Sequence, residues 1–137
     1  MQSKMKRINH IFIIAMVCTL VSIATSCRKM PEDGDLDGQW QVMSIEYVAD
    51  GTVVNPKGIY YCLFRSVVNL TSREHATQAG NLHYHDRKLT LSMPYSTPDK
   101  LAPWGINSAE TTFSVKQLSK DKMTLESDYS LIELRKF

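Results

Sequence analysis

Beyond Leu36 the chain holds no sustained 3.6-residue apolar period; short runs of β-branched, aromatic and leucine residues alternate with turn residues instead. That is the pattern of strands in a meander. A first strand is predicted over 39–48, where Trp40 and Val42 share one phase and Met43, Ile45 and Tyr47 the other. A phase switch inside one strand implies a bulge or a sharp bend. Ala49-Asp50-Gly51 predicts a turn, and a short strand over 52–55 is stopped by Pro56 and Gly58. One long strand is predicted over 59–71, with Tyr60, Cys62, Phe64, Val68 and Leu70 on one face and Arg65 and Asn69 on the other. The polar stretch 72–81 ends in a turn at Gly80-Asn81. Residues 82–87 and 89–93 are two arms of a hairpin or one bent strand, with Leu89, Leu91 and Met93 inward. A proline-rich loop over 95–108 precedes strands with Phe113 and Val115, then Met123 and Leu125, inward; Ser119-Lys120-Asp121-Lys122 is the tip between them. A turn at Asp128 leads to a last strand over 131–137, whose phase is open between Leu131 and Ile132. Seven or eight short strands at this spacing predict an all-β antiparallel sheet that closes into a barrel, which leaves no long open edge.

The beginning of the chain follows other rules. Residues 1–9 carry Lys4, Lys6 and Arg7 and no acid, and 11–23 is an apolar run broken only by Cys18, Thr19 and Ser22. Thirteen residues are too few to span a bilayer, which takes about 20, but they suit the core of a secretory signal. Ala24-Thr25-Ser26 then precedes Cys27, and small residues before a cysteine resemble the lipobox of bacterial lipoproteins, although leucine is commoner where Ala24 stands. The resemblance implies a cleaved signal over 1–26 and a lipid thioether and acylated amine on Cys27. Residues 27–36 would form a polar tether, the barrel would occupy 37–137, and the address would be the outer membrane, on either face. Each methylene of such an anchor contributes about 0.8 kcal/mol of membrane affinity, and two or three chains hold a protein firmly.

Charge changes the picture less than it promises. The formal net charge of +2 includes Lys4, Lys6 and Arg7; cutting before Cys27 leaves 13 basic and 14 acidic residues. A nucleic-acid partner argued from overall charge is thereby excluded. With Cys27 lipidated, Cys62 is the one remaining cysteine, so the fold must rest on its apolar core without a disulfide. Cys62 lies in an apolar run and reads as a buried, inert thiol.

The spelling Leu36-Asp37-Gly38-Gln39-Trp40-Gln41-Val42 resembles the Gly-x-Trp opening of lipocalin-like and other calycin barrels. With the strand rhythm and the lipobox, the chain resembles small lipocalin-like bacterial lipoproteins, most of them without an assigned activity. The resemblance implies that Trp40 plugs one barrel end and that a basic residue near the chain end, Arg135 or Lys136, packs across its ring; Arg135 is the choice carried forward. About 100 residues is short for a lipocalin with a roomy cup, and eight strands enclose barely enough space for side chains or one small ligand.

The chemistry-bearing residues are sparse. His83 and His85 flank Tyr84 and share one strand face, a spacing that can supply two metal ligands, but Leu82 and Tyr84 are the apolar pair and the histidines are expected to face water. No Gly-x-Ser-x-Gly elbow or phosphate loop occurs. No catalytic residue, metal or cofactor is therefore assigned, and the chain is read as a non-enzyme. Two functions remain. In one, the barrel holds a small apolar ligand, with Phe64, Tyr95 and Trp104 as candidate contacts. In the other, Phe64, Val68, Leu91, Phe113, Val115 and Leu125 fill the barrel, and its loops contact a protein or a glycan at the cell envelope.

Overall fold

Gly38–Tyr47 forms β1, and its phase switch is a bulge: pairing with the last strand slips between Val42 and Ser44, leaving Met43 outside. Trp40, Val42 and Ile45 all point inward as a result, two before the slip and one after it. The computed structural model describes residues 35–137. The expected signal, Cys27 and most of the tether lie outside the described residues.

Eight strands close an antiparallel barrel: β1, β3 (Ile59–Phe64), β4 (Val67–Ser72), β5 (Gln78–His85), β6 (Lys88–Ser92), β7 (Glu110–Leu118), β8 (Lys122–Glu126) and β9 (Ser130–Lys136), which pairs back onto β1. The two-residue β2 (Val53–Val54) adds to β1 beside Ile45 and Glu46. A short helix α1 (Pro98–Leu101) and a 3₁₀ turn over Ala102–Trp104 occupy the connection between β6 and β7. The core comes from the barrel strands, the β6–β7 connection and Leu36, and the described residues fall within one compact unit.

Two predicted elements are corrected. The long strand over 59–71 is a hairpin, β3 and β4, turning at Arg65-Ser66. Arg65 takes a positive φ of 54° there, and its N–H donates to Asp37 Oδ1 at 3.0 Å. In β3 the inward row is Ile59, Tyr61 and Leu63, so Tyr60 and Cys62 lie on the outer face and Phe64 is 63% exposed. The turn restores the predicted phase for Val68 and Leu70. Gly80-Asn81 is not a turn but part of β5, paired with Val68 and Val67. A Cβ at Gly80 would collide with the Ser92 carbonyl, so glycine is what lets the backbone lie that close to the end of β6. The reversal comes later, at Asp86-Arg87, where both residues have positive φ, as a type I′ hairpin turn requires.

Candidate functional site

The register sorts every connection to one of two barrel ends. The start of β1, the β3–β4, β5–β6 and β7–β8 turns and the end of β9 share the Trp40 end. The β1–β2 turn and the β4–β5, β6–β7 and β8–β9 connections share the other, around Trp104.

At the Trp40 end the indole is fully buried and its Nε1–H donates to the Leu36 carbonyl at 2.8 Å. Lys136, rather than Arg135, lies across the ring, its Nζ 4.8 Å from the centroid and 2.9 Å from the Asp35 carbonyl. The reason is phase: Ile132 and Leu134 point inward, Lys136 continues that row over the barrel mouth, and Arg135 faces outward. Gly38 has φ +146°, and a Cβ on it would stand 2.9 Å from Lys136 Cε. The glycine two residues before the tryptophan therefore makes room for the cation that covers the ring.

At the opposite end Trp104 is fully buried beneath the β6–β7 connection. Its Nε1–H reaches the Thr71 carbonyl at 3.3 Å, and its own carbonyl accepts from the Tyr61 hydroxyl. Burial pushes the Tyr61 phenol far above the ordinary tyrosine range. The buried hydroxyls and amide of this end are satisfied in pairs: Ser96 Oγ to Gln78 Oε1 at 2.6 Å, Ser130 Oγ to the Gly105 carbonyl at 2.7 Å, Thr111 Oγ1 to the Ser108 carbonyl at 3.1 Å. Among the described residues no buried side-chain nitrogen or oxygen lacks a partner.

Between the ends the barrel is packed. Val68, Leu91, Phe113, Val115 and Leu125 are buried, as are Leu70, Leu82 and Leu89. A chamber able to hold a ligand would leave its walls reachable by water, whereas Trp40, Tyr61, Leu70, Leu91, Phe113 and Leu125 show no reachable surface. Of the three candidate ligand contacts, then, Phe64 faces solvent, Tyr95 stands out at 91% exposure beside the β6–β7 connection, and Trp104 is a plug. The structure does not bring them together. His83 and His85 are exposed with stacked rings 6.4 Å apart. Cys62 is half-buried on the outer face, 3.8 Å from Thr71 Oγ1.

Two surface clefts open at the Trp104 end. One, of about 320 Å³, lies between the start of β7 and the β8–β9 turn and is lined by Asn107, Ser108, Glu110, Thr111, Thr112, Ser127, Asp128 and Tyr129. The Tyr129 ring stands edge-on to Tyr47 at 5.4 Å; burial, and after it this neighbour, raises the pKa of the Tyr47 phenol. The other, of about 360 Å³, is lined by Lys57, Tyr60, Ser72, Arg73 and Glu74 with Gly58 and Ile59. Sequence reading had only the length and prolines of the β6–β7 connection as a signal for this end; the first cleft joins residues 107–112 to 127–129, which only the register brings together.

Charge divides along the same axis. The Trp40 end carries Arg65; Asp86, Arg87 and Lys88; Lys120, Asp121 and Lys122; and Arg135 and Lys136 beside Asp35 and Asp37. That is seven cations against four acids, while the rest of the described residues hold four cations against eight acids.

A packed eight-stranded antiparallel barrel opened by Gly-x-Trp is the architecture of a lipocalin-like protein. The family model described as a lipocalin-like domain matches residues 19–137, and the chain belongs to that family. The fold is similar to that of a lipocalin-like protein from Bacteroides uniformis, 27% identical, with a TM-score of 0.65 over 76% of this chain and 100% of that one. It is also similar to an uncharacterised protein from Bacteroides eggerthii, 18% identical, with a TM-score of 0.60 over 74% of this chain and 98% of that one. No curated protein matches.

Proposed function

We propose that the protein is a non-enzymatic binding module of the bacterial cell envelope, held by a lipidated Cys27, whose filled barrel presents the Tyr129 cleft to a glycan. The observation that carries this reading is the packed interior: with the inward rows closed, recognition falls to the outer surface. The cleft offers an amide at Asn107, hydroxyls at Ser108 and Thr112, carboxylates at Glu110 and Asp128, and a half-exposed tyrosine ring. Hydroxyl-rich ligands pair with such donors and acceptors and lay their apolar faces on aromatic rings.

The test is NMR titration of the barrel with neutral oligosaccharides released from bacterial and host surface polysaccharides. Shifts confined to 107–112 and 127–129 are expected, together with their loss in Asp128→Ala. Shifts of the inward residues Phe113 and Leu125 instead would favour the second reading, an apolar ligand inside the barrel, which the lipocalin-like fold keeps in play. Native mass spectrometry of protein from its own host separates the two again, since a retained apolar small molecule belongs only to the second.

A further inference from the structure

We infer that the Trp40 end is a lipid-docking face, seated on the surface of a bilayer that contains anionic phospholipid. The inference deepens the tether reading above and rests on it for direction. The first described residue, Asp35, lies at this end, bound through its carbonyl to Lys136. Cys27 is eight residues earlier, and eight extended residues reach at most about 29 Å. A lipid on Cys27 would therefore hold this end within that reach of the headgroups.

The chemistry of the face fits that occupant. Its seven cations against four acids give a side-chain charge of +3, while the remaining described residues sum to −4, so the molecule presents its positive pole where the tether leaves. Apolar groups stand among the cations. Phe64 and Val67 flank the β3–β4 turn at 63% and 44% exposure, with the Arg65 guanidinium 5.3 Å from the Phe64 ring centroid. Phe137, beyond β9, is 76% exposed. An aromatic tip carrying an arginine suits the headgroup boundary, where the ring enters the interface and the cation stays at the phosphates. Lys120 and Lys122 on the β7–β8 turn extend the basic rim. Each Lys or Arg held near an anionic surface contributes about fivefold in partitioning.

The test uses residues 28–137, which keep the self-contained barrel and lack Cys27, with vesicles of 30% phosphatidylglycerol in phosphatidylcholine and vesicles of phosphatidylcholine alone. At low salt at least tenfold stronger partitioning onto the anionic vesicles is expected, most of it lost at 0.5 M salt. The pair Lys120→Glu and Lys122→Glu should remove at least fivefold, Phe64→Ser should remove the salt-resistant remainder, and Lys100→Glu at the opposite end should change nothing. Melting curves confirm that each variant is folded. Equal partitioning onto both vesicles, or losses from Lys100→Glu as large as those from the β7–β8 pair, would overturn the inference. Detergent-phase partitioning of the full chain against its Cys27→Ala variant reads the anchor separately. A detergent-soluble full chain with no vesicle preference for the barrel overturns the docking face alone, and the reverse pair of results overturns the anchor alone.

Discussion

Each end of the barrel is closed by one fully buried tryptophan, and the two closures work differently. Trp40 belongs to a strand and is covered by residues at the two ends of the barrel segment: Leu36 accepts its N–H, and Lys136 lies over its ring. Trp104 belongs to an inserted connection and is held by bonds to two strands, through Thr71 on β4 and Tyr61 on β3. The first closure asks for a glycine and a cation at fixed positions, which a short motif can encode. The second asks for a 17-residue segment, 93–109, whose buried polar side chains each find a partner, and it leaves a cleft along its margin. Under the proposed function the first end serves attachment and the second recognition.

The largest test of that contrast is removal of the rings. Trp40→Ala and Trp104→Ala should each cost about 3–5 kcal/mol, the range for a large buried aromatic. In a domain of this size that lowers Tm by about 15 °C or more, readable by calorimetry. A loss below about 1 kcal/mol for Trp104→Ala would mean that the β6–β7 connection detaches freely, and the packed-plug account of that end would fall.

Next in size is Tyr61→Phe, which leaves the buried Trp104 carbonyl without its donor and should cost about 1–3 kcal/mol. The same residue makes a pH statement. Its folded-state pKa is raised by burial, so the unfolded chain loses the phenolic proton first. The stability tied to the neutral phenol is therefore complete below the ordinary tyrosine pKa of about 10 and declines as pH rises above it. Denaturant midpoints measured from pH 8 to 11 should fall more steeply for the parent than for Tyr61→Phe.

The two ends also differ in how far the sequence exposes them. The Trp40 end was legible: Gly38 and Trp40 stand two apart, and the phase switch around Met43 announced the bulge. The choice between Arg135 and Lys136 was not, because Leu131, Ile132 and Leu134 make both phases of β9 apolar. The same ambiguity inverted β3. In Ile59-Tyr60-Tyr61-Cys62-Leu63-Phe64 every residue is apolar or aromatic, so alternation carries no phase, and Arg65-Ser66 lacks the glycine or asparagine that marks most hairpin turns. Gly80-Asn81 erred the other way, a turn dipeptide used for close approach inside a strand. At the Trp104 end the length of the connection showed that something was built there. The Tyr129 cleft depends on β7 and β8 lying side by side, which no local pattern states.

The finest test separates Lys136 from Arg135. Lys136→Met keeps an unbranched stem over Trp40 and removes the ammonium, with its ring contact and its bond to the Asp35 carbonyl. A partly exposed cation–π contact contributes about 0.5–1 kcal/mol, and a hydrogen bond from a charged group somewhat more before solvent screening. A net loss of about 1 kcal/mol is expected, seen as a shift in denaturant midpoint with unchanged slope. Arg135→Met should stay within about 0.5 kcal/mol of the parent, since Arg135 faces outward from β9. The order of these two losses decides which basic residue closes the barrel. Equal losses would mean that the cation over Trp40 adds nothing to the closure, and Gly38 would then be retained for its positive φ alone. Gly38→Ala separates those two demands on the glycine: in a Lys136→Ala background, which removes the stem, it should cost less than in the parent if the lysine stem and the new Cβ compete for the same space, and the same amount if only φ matters.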